Sequence, residues 1–116
     1  MTTAARIAGR ALREARSSPA LVDLLDLLGR RGSLRLVWEL RDGHGQSFRL
    51  LRSSADGISP SVLNARLKEL RQAQLVALDE GGYRLTPHGQ ELVRHLQPLG
   101  RWAPAWGRAR NSPADQ

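Results

Sequence analysis

The chain has 116 residues, no cysteine, and 18 lysine and arginine residues against 11 acidic ones, which gives a formal net charge of +7. A chain of this length suits one domain with a single core. The lack of cysteine excludes disulfides, thiol redox switches and thiolate metal sites, and no apolar run approaches the roughly 18 residues that cross a bilayer. We therefore expect a soluble, cytoplasmic protein with no membrane association, whose positive charge favours an anionic partner.

The first predicted element is an amphipathic helix over residues 3–16. Alanine, isoleucine and leucine recur on one side of it at helical spacing, and arginines occupy another side. The apolar side is shallow because most of its residues are alanine, and such a face buries little area per residue. We expect this N-terminal helical arm, residues 1–17, to pack against another subunit or against its own domain, with contacts from Ile7, Ala11 and Leu12.

Four short elements are predicted before the middle of the chain. The serine and proline at 18–19 cap and open a helix that ends near Gly29. A further helix is predicted over residues 33–40, where apolar residues again recur at helical spacing. A very short strand is predicted at residues 46–47, and a short helix begins at Phe48 and ends before a glycine-containing turn.

The most informative stretch begins at Ser59 and continues as a helix to residue 72. Ser59 suits the N-cap, and Pro60 suits the first helical position, where its missing N–H is not needed. Leucines at i, i+4 and i+7 from Leu63 form an apolar stripe. The opposite face carries short side chains and one cation: Ser61, Asn64, Ala65 and Lys68. Such a face suits a helix in a DNA major groove; the alternative is an ordinary solvated face.

A hairpin and a last helix follow this stretch. Leu75–Leu78 and Tyr83–Leu85 have the composition of two short strands, joined by a turn that contains two glycines. Threonine and proline at 86–87 repeat the cap-and-proline signal and open another helix. The order helix, hairpin, helix is that of a winged helix-turn-helix. The predicted fold is therefore mainly α with a small β-hairpin.

Several motifs in one order resemble the HxlR-type family of bacterial winged-helix transcriptional regulators. The matching segments are Leu24-x-x-Leu27-Leu28-Gly29, Asp42-Gly43 with Phe48, Ile58-Ser59-Pro60-x-x-Leu63-x-x-Arg66-Leu67-Lys68-Glu69-Leu70, Leu75-Val76, and Tyr83-x-Leu85-Thr86-x-x-Gly89-x-x-Leu92. The resemblance covers residues 18–106 and implies a winged helix-turn-helix domain over that range, ending in a dimerisation helix. We expect residues 107–116 to form a disordered tail.

The last helix contains two tryptophans one turn apart, beyond leucines at core spacing. A small domain cannot easily cover two indoles so near its end, which favours burial against a partner subunit. The resemblance implies a homodimer formed by the terminal helices. The interface residues assigned to the last helix are Leu96, Leu99, Trp102 and Trp106. Pro98 and Gly100 are expected to kink or interrupt this helix, and Pro104 to start a separate turn.

The resemblance implies sequence-specific binding of double-stranded DNA, with repression as the expected role. In the helix at 59–72, Asn64 could read adenine, and Lys68 could read guanine or hold phosphate. Ser59, Arg66 and Arg71 are expected to contact the DNA backbone or brace the fold, and a structural ion pair with Glu69 is the alternative for Arg66. The predicted DNA-binding residues are Gln46, Ser47, Ser59, Ser61, Asn64, Ala65, Arg66, Lys68, Arg71 and Arg84.

Three departures from the family pattern qualify this expectation. Ser18 stands where redox-responsive members have a sensor cysteine, and a serine hydroxyl cannot become a thiolate. Gly32 replaces the family's tryptophan, whose space Trp38 could fill. The predicted wing is short and acidic at residues 79–82, which makes it a poor phosphate ligand and leaves Arg84 as the only cation nearby. A winged-helix protein-interaction module without DNA readout is therefore the alternative function.

Other kinds of site find little support in the sequence. His88, Glu91 and His95 share one helical face, but their spacing is not a recognised metal motif. No Gly-x-Ser-x-Gly elbow or Walker loop is present. The sequence thus predicts no enzyme activity, no metal and no cofactor, and nothing in it identifies a small-molecule inducer.

Overall fold

The computed structural model describes residues 18–55 and 57–112 as five helices and one β-hairpin. In chain order these are α1 (Pro19–Leu28), α2 (Ser33–Glu39), α3 (Phe48–Ser54), α4 (Pro60–Gln72), β1 (Val76–Asp79), β2 (Gly82–Leu85) and α5 (Pro87–Arg110). The predicted class, mainly α with a small hairpin, is confirmed. The predicted helical arm with Ile7, Ala11 and Leu12 lies outside the described residues. No helix within those two ranges is long and apolar enough to cross a membrane.

Four of these helices begin at a hydroxyl cap, and three of the four caps were predicted from the sequence. The side chains of Ser18, Ser47, Ser59 and Thr86 each accept a hydrogen bond from the backbone N–H three residues later, at 3.1 to 3.2 Å. Each cap satisfies one donor that has no partner within its helix. Proline follows three of the caps and adds a preformed φ angle. Local chemistry alone therefore fixes where these helices start.

The α4 helix lies across the centre of the core. Its three leucines, Leu63, Leu67 and Leu70, have at most 1% of their surface exposed. They pack in one cluster with buried residues of the other elements: Leu36, Val37, Leu40, Leu51, Ala55, Leu75, Val76, Leu85 and Val93. Burying a leucine side chain contributes roughly 1.5–3 kcal/mol, so the stripe fixes which face of α4 points inward. The opposite face is consequently held outward.

The hairpin is antiparallel, with Val76 opposite Leu85 and Asp79 opposite Gly82. Its two-residue turn is closed by Asp79, whose Oδ1 accepts a hydrogen bond from the N–H of Gly81 at 2.8 Å. Gln46 forms an isolated bridge with Tyr83, and both backbone hydrogen bonds between them measure 2.8 Å. The very short strand predicted at residues 46–47 is thus reduced to a single bridging residue, Gln46, beside the wing, because Ser47 caps α3.

The last helix differs from the prediction. The α5 helix is continuous from Pro87 to Arg110 and contains both Pro98 and Pro104. Each proline removes one helical N–H, and the carbonyls left unpaired belong to residues on exposed turns, where water can solvate them. The predicted interruption at Pro98 and Gly100 and the separate turn at Pro104 are therefore wrong. Residues 107–110, which we expected to begin a disordered tail, are helical.

The space beside Gly32 is also filled differently. Gly32 has φ +89°, a conformation that favours glycine, and a Cβ atom there would lie 2.5 Å from Cδ1 of Ile58. Ile58 therefore occupies the space that we expected Trp38 to fill. Trp38 packs instead against α5, where its indole lies 3.1 Å from the position of a Cβ at Gly100.

Candidate nucleic-acid interface

The outer face of α4 presents the side chains that the sequence assigned to it. Ser61, Asn64, Ala65, Lys68 and Arg71 are all exposed, while the leucines at the opposite helical phase are buried. The arrangement follows from the period of 3.6 residues per turn, which puts residues three, four and seven positions apart on one side. The structure thus brings these five side chains together on one outward surface, next to the cap at the start of the helix.

The first turn of α4 is fixed by its own polar side chains. The hydroxyl of Ser59 accepts a hydrogen bond from the N–H of Val62 at 3.2 Å and lies 3.2 Å from the hydroxyl of Ser61. Gly57, just before the cap, has φ +79°. Ser59 is exposed, but its oxygen already serves the helix start, so its first role is to define where the recognition surface begins.

Arg66 points away from that surface. Its side chain is 17% exposed, its Nε donates to the backbone carbonyl of Arg31 at 2.8 Å, and its Nη1 donates to Oε1 of Glu69 at 2.7 Å. The structural ion pair that the sequence offered as an alternative is therefore the observed state, and Arg66 braces the fold. The cause is position: residue 66 lies beside the leucine stripe, at the edge of the buried face.

Gln46 and Ser47 also have structural partners. The side-chain amide of Gln46 donates to the carbonyl oxygen of Glu39 at 2.9 Å, and its backbone pairs with Tyr83. Ser47 caps α3 by accepting from the N–H of Leu50 at 3.1 Å. These contacts tie α2, α3 and the wing together. Both residues therefore have roles in the fold, and their predicted DNA contacts stay predictions.

The wing carries little positive charge. Arg84 Nε lies 3.1 Å from Oδ2 of Asp79, at ion-pair distance although not in hydrogen-bond geometry. The guanidinium packs close to the backbone of Gly45 and Gly81. Because Asp79 compensates this charge and Glu80 adds a negative one, the wing surface repels phosphate. The observed contact of Arg84 lies within the wing, and its predicted DNA contact stays a prediction.

Two cations on α3 were not predicted as site residues. Arg49 and Arg52 are exposed and three positions apart, so they share one side of the first helix of the helix-turn-helix. Among the described residues, neither forms an ion pair, whereas Arg30, Arg35, Arg66 and Arg84 each do. The signal was available in the sequence, because the first helix of this motif crosses the phosphate backbone. No residue of α3 was among the predicted DNA-binding residues.

A second exposed surface lies on α5. Trp102 and Trp106 are stacked, with ring centroids 5.6 Å apart and an interplanar angle of 15°, and they are 57% and 46% exposed. Leu99, one turn earlier, is 51% exposed, and Leu96 is half-buried. The predicted interface residues of the last helix thus form an apolar strip that the described chain leaves largely uncovered.

Comparison with known proteins agrees with this architecture. Residues 27–111 match the HxlR-like helix-turn-helix family. An HTH-type transcriptional regulator of Methanocaldococcus jannaschii is 28% identical over 88 residues, which cover 72% of this chain and 82% of that protein. The crystal structure of quinone-bound YodB from B. subtilis is 31% identical, with a TM-score of 0.67 over 75% of this chain and 98% of YodB. A possible HxlR family transcriptional factor from Thermoplasma volcanium is 32% identical, with a TM-score of 0.67 over 73% of this chain and 82% of that structure. The chain therefore belongs to the HxlR-like helix-turn-helix family of DNA-binding transcriptional regulators, with α3 and α4 as its helix-turn-helix and β1–β2 as its wing.

Proposed function

We propose that this protein is a homodimeric transcriptional repressor that reads double-stranded DNA with the outer face of α4 in the major groove. The observation that carries the proposal is the contrast between the two faces of this helix. One face is locked into the core by three leucines, and the other presents short polar side chains and two cations to solvent. Small side chains let the helix approach base edges closely, and the cations compensate phosphate charge.

The outer face has the dimensions of a short reading surface. From Ser61 to Lys68 the helix rises about 10 Å, the axial length of about three base pairs of DNA. Asn64 supplies a donor and an acceptor that match adenine, and Lys68 supplies a donor for guanine or phosphate. Ala65 suits contact with a thymine methyl group. We assign base reading to these residues together with Ser61.

Phosphate contacts fall to the cations around this face. Arg71 follows the reading residues on α4, and Arg49 and Arg52 lie on the exposed side of α3, the helix that crosses the backbone in this motif. The acidic wing takes no part, because Asp79 holds Arg84 and Glu80 repels phosphate. The DNA footprint of one subunit therefore rests on α3 and α4. Repression then requires only that the bound protein occupy the operator and block access to it.

The interaction-module alternative rests on the acidic wing. The exposed cations of α3 and α4 favour DNA, because the rival function gives no reason for positive charge beside a helix face of small polar residues. Selection of binding sites from random duplexes tests the proposal. We expect enrichment of a two-fold symmetric sequence with half-sites about one helical turn, 34–36 Å, apart. Recovery of random sequence, with no enrichment over successive rounds, would support the interaction module.

We infer that the apolar strip of α5 forms the dimer interface. A recess of about 430 Å³ lies between α2 and α5 and is lined by Leu34, Arg35, Trp38, Leu96, Leu99, Gly100 and Ala103. The two stacked tryptophans extend this apolar surface along α5. Exposed apolar surfaces of this kind mark sites of protein association. A second copy that covers them would supply a second α4 helix, one for each half-site of a two-fold symmetric operator.

Trp102→Ala is expected to shift the protein from dimer to monomer. It removes an exposed indole from the proposed interface and leaves Trp106 without the ring on which it stacks. Sedimentation velocity measures the change. The protein concentration should be on the order of tens of micromolar, comparable to the Kd of a weak dimer. His88→Ala, on the same helix but exposed and outside the strip, serves as the control and should remain dimeric. A wild-type protein that sediments as a monomer at this concentration would rule out the proposed interface.

DNA binding is expected to be indifferent to thiol oxidants. The chain has no cysteine, so neither a disulfide nor a covalent adduct at a thiol can form, and oxidation of Met1 is the only sulfur chemistry left. Affinity for the selected duplex should be the same before and after treatment with peroxide, diamide or a quinone, as measured by fluorescence anisotropy. A loss of affinity that dithiothreitol reverses would contradict this expectation.

A further inference from the structure

Glu69 lies on α4 at the junction with the turn that connects α1 and α2. One carboxylate oxygen, Oε1, accepts from Nη1 of Arg66 at 2.7 Å, and the other, Oε2, lies 3.1 Å from Nη1 of Arg30. The Glu69 side chain is only 25% exposed. Both oxygens are thus occupied by guanidinium groups, one from the same helix and one from the α1–α2 turn.

Arg66 joins the same turn through a second bond. While Nη1 holds Glu69, Nε donates to the backbone carbonyl of Arg31 at 2.8 Å. A guanidinium can hold two acceptors in fixed directions because its donors form a rigid planar fork, whereas a lysine ammonium is a single point charge on a flexible stem. Arg66 therefore bridges α4 to the turn with defined geometry.

The α1–α2 turn also contacts the other end of α4. Nη2 of Arg31 donates to the carbonyl oxygen of Gly57 at 3.4 Å, and Ile58 packs into the space left by the absent Cβ of Gly32. The turn therefore meets the recognition helix just before its start and again near its last turn. Contacts at both ends restrain the helix from rolling about its axis or sliding along it.

We propose that Glu69 is a positioning residue, and that the clamp it forms with Arg66, Arg30 and the α1–α2 turn sets the sequence discrimination of α4. This inference rests on the proposed DNA-binding function. Side chains extend about 5–6 Å from a helix axis, so a roll of α4 moves Asn64 and Lys68 together relative to the bases. Hydrogen bonds to base edges depend on direction, whereas attraction to phosphate does not. Loss of the clamp therefore lowers the affinity for the specific sequence, while the affinity for non-specific DNA stays the same.

The test compares Glu69→Gln with Glu91→Gln, which removes the same charge from an exposed position on α5. Affinity for the selected duplex and for a scrambled duplex is measured at several salt concentrations. We expect Glu69→Gln to lower the ratio of specific to non-specific affinity about tenfold, with non-specific affinity unchanged or higher because Arg30 is freed to bind phosphate. Glu91→Gln should leave the ratio unchanged.

A second pair of variants separates geometry from charge. Arg66→Lys keeps the positive charge but loses the planar fork of guanidinium donors. Its ratio of specific to non-specific affinity should therefore fall as in Glu69→Gln. Arg30→Lys keeps the ion pair that Arg30 makes and should retain most of the wild-type ratio. Circular dichroism during thermal unfolding establishes that each variant is folded. Asn64→Ala should also cost less discrimination in the Glu69→Gln background than in the wild type, because the reading geometry is already lost.

If Glu69→Gln and Arg66→Lys both kept the wild-type ratio of specific to non-specific affinity, the inference would be overturned. A fall in specific and non-specific affinity by the same factor would also overturn it, since that pattern reports a general loss of binding. Failure of the DNA-binding proposal itself is distinguishable, because the wild-type protein would then show no preference for any selected duplex over its scrambled control.

Discussion

Gly89→Ala is expected to lower the free energy of unfolding by about 3 kcal/mol. A Cβ at this position would lie closer than 3.0 Å to the carbonyl oxygen of Leu75, and 3.0 to 3.1 Å from side-chain atoms of Leu85. Gly89 is buried within the first turns of α5, where the helix rests directly on the start of the wing. The added methyl group must displace backbone, which a packed core resists. Urea unfolding at fixed protein concentration measures the loss as a shift in midpoint at constant slope.

Gly107→Ala provides the matched control. It lies in the same helix, but apart from its chain neighbours and the adjacent helix backbone, no atom of the described residues lies within 4 Å of its Cβ position. Alanine favours helix over glycine by up to about 1 kcal/mol, so this variant should be as stable as the wild type or more so. If Gly89→Ala unfolded at the wild-type midpoint, the close packing of α5 against Leu75 would be contradicted.

The second large effect is expected at the reading face. Asn64→Ala should relax discrimination at one base pair by about 1–3 kcal/mol, because a bidentate amide cannot be replaced by water without loss of directional pairing. Arg71→Ala should behave differently. Removing a phosphate contact weakens binding to all sequences alike and lowers the salt slope by about one unit. Lys68→Ala should combine the two behaviours.

Titrations of selected and base-substituted duplexes at several salt concentrations separate these outcomes. Glu80→Ala in the wing is the control for charge, and it should leave affinity unchanged or improve it, since the side chain is exposed and negative. If the Asn64→Ala and Lys68→Ala variants both kept wild-type affinity and specificity, α4 would not be the reader and the interaction module would become the better proposal.

The parts of the fold that local chemistry determines could be predicted from the sequence. The caps at Ser18, Ser59 and Thr86 mark their helix starts because a hydroxyl and the following proline act within one turn. The spacing of the leucines from Leu63 onward correctly predicted which face of α4 is buried and which is exposed. The hairpin followed from two short apolar runs around Gly81 and Gly82, within one residue of the observed strands.

Partners of long side chains could not be predicted in the same way. Arg66 bonds to the carbonyl of Arg31, 35 residues earlier, and no local pattern brings these two groups together. Gln46 was assigned to DNA, although its amide closes a contact with Glu39. The continuity of α5 was missed because the proline rule describes a lost hydrogen bond, whereas the cost depends on whether water reaches the freed carbonyl.

The most direct test of the central claim is methylation interference on a selected duplex that contains guanines in both half-sites. Methyl groups at guanine N7 lie in the major groove, and those at adenine N3 lie in the minor groove. We expect N7 methylation to block binding in two clusters about one helical turn apart, with no effect of N3 methylation where the wings would lie, and we expect the Lys68→Ala variant to lose part of the guanine signal. Binding that tolerates N7 methylation throughout both half-sites, or that is blocked only by N3 methylation, would contradict major-groove reading by α4.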